Sequence, residues 1–284
     1  MPMPSLSLVL PTLNERENVE RFVPLLLAEV REILEILVVD DDSSDGTPEA
    51  VERLGRSDPR VRLIRRRGAP CLTAAIQEGI LSARGDAVGW MDADLVMAPS
   101  DLSRLVATVD AGADVAIGSR FAPGGRIKGQ NADGTFGRLL ALSNLRTTED
   151  PWLGVFLSWA LNAVLLPALV GAGVRDYTSG ILVGRREVLQ EIRLRGDHGE
   201  YFIELVAALL AERRVVVEVP YRVQPRQYGR SKTGNALGEY LVRGRRYIDA
   251  GVRARSTLRA GGRAGPGEGS AAFRASASAK PARR

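Results

Sequence analysis

Two carboxylates stand two residues apart in Gly89-Trp90-Met91-Asp92-Ala93-Asp94-Leu95, directly after a short apolar run. If that run is a strand and the chain continues extended, residues i and i+2 project the same way, so Asp92 and Asp94 converge on one hard divalent cation. Mg²⁺ or Mn²⁺ held there would bridge the two phosphates of a nucleotide-activated substrate. Aspartates are also common in loops for turn-forming reasons, so the pair takes its meaning from its surroundings. The run 6–10 leads into Pro11-Thr12-Leu13-Asn14-Glu15, and Ile36-Leu37-Val38-Val39 leads into Asp40-Asp41-Asp42-Ser43-Ser44-Asp45-Gly46-Thr47. Three strand-length runs therefore end in polar clusters, and in an open α/β sheet ligands bind beyond the carboxyl ends of the strands.

Further along, other residues carry chemistry of the same kind. Three successive aspartates repel one another unless something offsets them; a helix N-terminus accounts for one or two, a bound ligand for the rest. Arg120 follows Gly118-Ser119, and its guanidinium is either a solvated charge or a bidentate partner for a phosphate. Arg226, Arg230, Ser231 and Lys232 surround Gly229 and read as a closing phosphate loop or as a solvated basic turn. Glu204 lies in the apolar helical stretch 201–210, where a carboxylate is costly unless it faces a polar site or the helix edge. Asp176 could orient a basic residue or a sugar hydroxyl. The one histidine, His198 in Arg195-Gly196-Asp197-His198-Gly199, reads as an exposed turn, and the one cysteine, Cys71, as a packed residue at the start of a helix.

The elements that must position these residues alternate. Strands are expected at 6–10, 35–40, 61–65, 87–91, 114–118 and 215–219, and helical spacing at 19–32, 48–54, 72–83 and 99–109. Thr47 before Pro48 suits an N-cap and first helical position. Regular alternation predicts an α/β fold with a mostly parallel central sheet and helices on both faces. Residues 120–150 are rich in Gly, Arg, Asn and Asp and predict a long loop. After about residue 259 the composition cannot build a core, which predicts a disordered tail. The expected division is a catalytic domain over 1–242 and a basic helix and tail over 243–284.

Seven stretches together resemble family 2 glycosyltransferases of the GT-A fold, and more narrowly the polyprenyl (dolichyl) phosphate mannose synthases. They are Pro11 to Glu15, Val39-Asp40-Asp41 through Asp45-Gly46-Thr47, Met91 to Leu95, Gly118-Ser119-Arg120, Asp176-Tyr177-Thr178-Ser179-Gly180, Tyr201-Phe202-Ile203-Glu204, and Arg226-Gln227-Tyr228-Gly229-Arg230-Ser231-Lys232. The resemblance implies a Rossmann-like nucleotide-diphospho-sugar transferase. Pro11, Leu13, Glu15, Val39, Asp41 and Ala93 would line the nucleotide pocket, and Asp92 and Asp94 would bind Mg²⁺ or Mn²⁺. Arg120, Arg226, Arg230, Ser231 and Lys232 would meet phosphates, and Asp176 and Glu204 would belong to the acceptor side. The implied reaction is inverting transfer of a hexose, foremost mannose from GDP-mannose, to a polyprenyl phosphate. A phosphate monoester has a second pKa of about 6 and needs no strong base at neutral pH.

Two departures from the family pattern bear on this. Val96 stands where members commonly carry Gln or Ser, and no Arg closely precedes Ser158, so Arg138 or Arg146 would have to supply that charge. A transferase using UDP-glucose or a sugar hydroxyl acceptor, and an inactive nucleotide-sugar binding module at a membrane, are the alternatives.

Charge is unevenly placed. Of a net +5, the segment from Arg243 onward carries eleven Lys and Arg against two acidic residues, so the remainder is mildly acidic. That segment suits an anionic membrane surface better than nucleic acid, which is not expected as a partner. Residues 151–174 lack any charged side chain and are long enough to span a bilayer. A crossing would, however, separate Asp176 and Glu204 from Asp92 and Asp94, which leaves a buried or a membrane-surface helix. With only a strand-length apolar run at the N-terminus, the expectation is a cytoplasmic protein, peripheral at the cytoplasmic face of the membrane.

Overall fold

Strand β1 (Leu6–Thr12) is buried at six of its seven positions and β2 (Ile33–Asp40) at seven of its eight. Burial on both faces belongs to the interior of a parallel sheet covered by helices above and below. The computed structural model describes residues 4–94, 96–126, 160–171, 173–224 and 237–261. After β1 the chain runs through α1 (Arg16–Glu29), β2, α2 (Thr47–Ser57), β3 (Val61–Arg65), α3 (Leu72–Ser82), β4 (Ala87–Trp90), α4 (Pro99–Asp110) and β5 (Val115–Ser119). A π-helical turn (Leu161–Leu165) leads into α5 (Leu166–Val170). β6 (Leu182–Arg185), α6 (Arg186–Glu191), α7 (Tyr201–Ala211), β7 (Val216–Pro220) and the long α8 (Leu237–Gly261) complete the described chain.

The strands lie in the order β3-β2-β1-β4-β6-β5-β7. Six run the same way, and β6 runs against both β4 and β5. Alternation along the strands sorts the core into two layers. Leu6, Leu8, Leu10, Ile36 and Val38 meet Phe22 and Leu26 of α1 and Leu102 and Leu105 of α4. Val9, Leu37, Val39, Val88 and Trp90 meet Ile76 and Ile80 of α3 and Phe202 of α7. Helix α3 lies so close to β1 that a Cβ on Gly79 would fall 2.3 Å from Val9 Cγ1, so only glycine fits there.

A crevice opens at the carboxyl end of β1. Its pairing with β2 continues to Thr12 beside Asp40, whereas its pairing with β4 stops at Val9 beside Trp90. Pro11, which has no N–H to give a neighbouring strand, sits just past that last β4 contact. Here successive connections leave the sheet in opposite directions, the switch point where α/β sheets bind ligands.

Several expectations change. β6 was not expected: four residues after Gly180 that run directly into α6 are too short to show a period. Helix α2 begins at Thr47 with Gly46 at its cap, φ 89°, so Thr47 is not the N-cap; its hydroxyl instead donates to Asp45 and accepts from the Glu15 N–H. The boundary expected between residues 242 and 243 falls inside α8, and α8 is docked, with Ala250 and Ala254 wholly buried in the core layer beneath α7. Of the uncharged stretch, α5 buries Leu166 and Val170. Residues 127–159, 225–236 and 262–284, which include Arg138, Arg146, Ser158, Arg226, Arg230, Ser231, Lys232 and nearly all the expected tail, lie outside the described residues.

Candidate active site

Two loops close the β1–β2 side of the crevice by binding each other. The Asn14 N–H donates to Ser43 Oγ at 2.7 Å, and the Ser44 N–H to Asn14 Oδ1 at 2.9 Å. Asn14 and Asp42 take left-handed backbone angles, φ 55° and 61°, which Asn and Asp tolerate best among residues with a Cβ. Asp45 accepts from Thr47 and from the Arg16 N–H. Burial pushes its carboxyl up, but these donors outweigh it and hold it below the ordinary range.

The successive aspartates divide their tasks. Asp40 is wholly buried and accepts from Thr12 Oγ1, Ser43 N and Ser43 Oγ, so local donors offset its charge without any ligand. Asp41 pairs with Arg66 and accepts from the Cys71 N–H at 2.9 Å, at the start of α3. Asp42 is exposed. Among the other expected nucleotide residues, Pro11 at the end of β1 and Leu13 and Glu15 just beyond it are half-buried, and Ala93 is buried. Val39 is wholly buried against α3, which leaves its main chain rather than its side chain for any ligand.

The metal motif differs from the expected strand continuation. β4 ends at Trp90 and the chain bends at Ala93 and Asp94, leaving Asp92 exposed and Asp94 8% exposed. Any convergence of the two carboxylates therefore comes from the bend, not from strand alternation. The main chain of Val96 ties the motif down: its N–H points to Asp94 Oδ1 at 3.4 Å, and its carbonyl accepts from the Gln224 N–H at 2.9 Å. Gln224, the last described residue after β7, is thus held beside the motif.

At the end of β5, Arg120 is held from three directions. Its main-chain N–H and Nε donate to Asp176 Oδ2 at 2.9 and 2.8 Å, and Nη2 donates to Asp176 Oδ1 at 2.8 Å and to Thr178 Oγ1 at 2.9 Å. Thr178 also accepts from Asn162, whose Oδ1 accepts from the Tyr177 N–H. With the Thr178 N–H added at 3.2 Å, the wholly buried Asp176 carboxylate accepts four hydrogen bonds. Burial pulls the Arg120 guanidinium down, but Asp176, with Tyr221 and Tyr247, outweighs burial and holds it well above its ordinary value. The Tyr221 hydroxyl is pushed up to about 12, first by burial, with Asp176 and Asp92 adding to it against Arg120. Tyr221 also donates its main-chain N–H to Ser119 at 3.1 Å and shares a core layer with Met91 and Ala93, which brings the two ends of the site to one part of the sheet.

Glu204 is engaged by another helix. It accepts from Arg253 of α8 at 2.8 Å, so in this structure it fastens two helices, while Tyr201 of the same helix accepts from Trp90 Nε1 at 2.9 Å. His198 is exposed on a bend, as expected. Arg66, Asn162, Thr178 and Glu218 hold site residues, a role that was not expected for any of them. Thr178 stands in a family stretch, and Glu218 shows as an acid within the apolar run of β7.

In donor chemistry the site suits a hard cation: two carboxylates on a short bend. Among the described residues no three His, Cys, Asp or Glu side chains cluster for a metal, so substrate phosphates and water would complete its shell.

Residues 7–193 match the profile described as Glycosyl transferase family 2. A polyprenol monophosphomannose synthase from Mycolicibacterium smegmatis is 34% identical, over 84% of this chain and 87% of that protein. An undecaprenyl-phosphate mannosyltransferase from Micrococcus luteus is 30% identical, over 88% and 98%. Among solved structures, glucosyl-3-phosphoglycerate synthase from Mycobacterium tuberculosis, in complex with Mn²⁺, uridine diphosphate and phosphoglyceric acid, superimposes with a TM-score of 0.63. It is 19% identical, with 89% of this chain and 78% of that one covered, a likeness of fold.

Proposed function

The chain belongs to glycosyl transferase family 2, and from that membership we propose that it moves mannose from GDP-mannose to the phosphate of a polyprenyl carrier, with inversion at the anomeric carbon. The observation that carries the acceptor class is the state of Asp176. A sugar hydroxyl acceptor needs a carboxylate base near it, and Asp176 already accepts four hydrogen bonds, three of them from Arg120. Its task is to hold a cation, which is what an anionic acceptor calls for.

In this reading Asp92 and Asp94 hold Mg²⁺ or Mn²⁺, which when bound neutralises charge on the leaving diphosphate. Asp41, with Pro11, Leu13, Glu15, Ala93 and the Val39 main chain, seats the nucleotide. Arg120, fixed by Asp176, offsets repulsion between two anionic substrates and lines up the acceptor phosphate. That phosphate arrives ionised, so its oxygen bonds to the anomeric carbon as the diphosphate oxygen departs, and no protein group need take a proton. Arg226, Arg230, Ser231 and Lys232 are assigned to the phosphates because Gln224, the last described residue before them, is held next to Val96. The names of the relatives support lipid phosphate as acceptor and mannose as cargo.

A lipid acceptor keeps its chain in the bilayer, so we place the protein at the cytoplasmic membrane surface. No helix among the described residues is long and apolar enough to cross a membrane. Helix α8 exposes Ile248 and Val252 together with Arg245, Arg255 and Arg259. By the 3.6-residue period these share one face, the composition of a surface that rests on anionic lipid.

Transfer of labelled mannose tests the proposal. Product should form from GDP-mannose with a polyprenyl phosphate, not with the corresponding polyprenol, and should stop in EDTA. Equal product from polyprenol refutes the phosphate nucleophile, and preference for UDP-glucose refutes the donor.

A further inference from the structure

The carboxylate of Asp176 holds Arg120, but a second carboxylate holds the main chain of Asp176. Glu218 lies on β7, paired with Ile117 of β5, and its Oε1 accepts from the N–H groups of Arg175 and Asp176, both at 3.0 Å. The hydroxyl of Ser119, the wholly buried residue just before Arg120, favours the charged form of Glu218. A relay results: Glu218 to the Asp176 main chain, and the Asp176 carboxylate to the Arg120 main chain and guanidinium. We propose that Glu218 is a positioning residue of the transfer site, one that sets the Arg120 guanidinium by clamping the turn that carries Asp176. The proposal rests on the reading that Arg120 meets a substrate phosphate.

A strand acid has no local reason to be there. Within the apolar run of β7 a carboxylate costs free energy unless its acceptors are used, and here one oxygen serves two main-chain donors on another segment. A guanidinium misplaced by about 1 Å loses much of its effect on a reacting group, so a clamp behind Asp176 bears on the chemistry without touching substrate.

Burial, with the nearby Asp176 charge adding to it, pushes the Glu218 carboxyl above its usual range against the Ser119 hydroxyl and the two N–H donors. Asp176 and Tyr177 face it from the turn, Ser119 from β5, and Arg120 and Tyr221 surround Asp176. A protonated carboxyl still accepts both N–H groups through Oε1, and so does the carbonyl of a glutamine.

Binding of GDP and, separately, of farnesyl phosphate, each with MgCl₂, is measured by calorimetry on the full chain. For whichever probe Arg120→Ala weakens, Glu218→Ala should weaken it about tenfold, the scale of a lost charge-assisted contact. Glu218→Gln should hold the loss to about twofold, and Glu218→Ala should add little once Arg120 is already alanine, because residues acting through one another are not additive. If Glu218→Ala binds like wild type while Arg120→Ala does not, or if the two losses simply add, the proposal is overturned. If Arg120→Ala weakens neither probe, the phosphate contact itself is wrong and the inference falls with it. Both outcomes are independent of whether sugar is transferred. Should Glu218→Ala not fold, wild type is compared with Glu218→Gln across pH. Ionisation of Glu218 adds negative charge behind Arg120, so wild type should lose probe affinity relative to Glu218→Gln as pH rises; parallel curves overturn the proposal.

Discussion

Asp92 and Asp94 differ in exposure, and this sets the order of their effects. Asp94 is 8% exposed beneath the Val96 N–H, whereas Asp92 is exposed. If both hold the cation, Asp94→Asn should reduce transfer by about a hundredfold or more, on the scale of several kcal/mol of lost charge stabilisation. Asp92→Asn should lose less and recover in part with added metal. Transfer by either variant at the wild-type rate removes the cation from the reading. Asp176 carries a structural consequence as well. Its removal leaves the Arg120 guanidinium, about one-fifth exposed, without its counter-charge, so Asp176→Ala should cost about 3 kcal/mol, the low end for breaking a buried pair. A urea midpoint within error of wild type would show that Thr178 and water suffice.

At the scale of elements, α8 decides between two roles for the basic end of the chain. Its inner face is small: Ala250 and Ala254 are wholly buried, and a Cβ on Gly251 would stand 3.2 Å from Leu169. Ala254→Leu should therefore overpack the contact and cost about 1–3 kcal/mol. The Arg253–Glu204 pair on its flank is half-exposed on the arginine side, so Arg253→Ala should cost under about 1 kcal/mol. Deleting residues 243–284 would remove this packing along with the charge, which makes deletion an ambiguous test of membrane binding. The clean test is Arg245→Glu with Arg255→Glu, both on the exposed face. Sedimentation with anionic vesicles should fall at least about tenfold, neutral vesicles should be unaffected, and the melting temperature should not change. Undiminished sedimentation moves the membrane contact to another surface.

Across the whole molecule, acid should act through carboxylates whose ordinary ionisation the fold has displaced. Glu35 on β2 is nearly buried; burial pushes it up, but Arg62, the Ser7 hydroxyl and the Arg84 N–H outweigh that and hold it below its usual value of 4.5. A lowered pKa stabilises the folded state above the unfolded pKa, and that contribution is lost as pH falls through the folded one. Unfolding free energy should therefore fall below about pH 4.5, with Glu35→Gln less stable at neutral pH and shallower in its acid slope. Glu218, displaced upward, works in the opposite sense: its penalty is absent below the unfolded pKa and grows as pH rises through the folded one. Identical acid slopes for wild type and Glu35→Gln in urea titrations would discount Glu35.

The sequence by itself determined the elements whose periods are long and whose ends are punctuated. Strands β1 to β5 and β7 and helices α1 to α4 are where alternation and helical spacing place them, to within a few residues, because a strand buried on both faces or a helix with one apolar side must show it locally. The family and the polar clusters at strand ends were legible for the same reason: residue type limits what a side chain can bind. Tertiary structure alone decided the rest. β6 exists because the gap between β4 and β5 needs a strand, and its own four residues hold no period. The aspartate triplet splits into an Asp40 satisfied by Thr12 and Ser43 and an Arg66-paired Asp41 because Thr12 and Arg66, each 25 or more residues away in sequence, reach them there. The basic C-terminal helix is docked rather than appended because Ala250, Gly251 and Ala254 fit a surface made by α5 and α7, and a surface assembled from distant segments has no local code. The relay from Glu218 through Asp176 to Arg120 spans three segments, and hydrogen bonds that form between strands and a turn leave in the sequence no more than an acid in an apolar run.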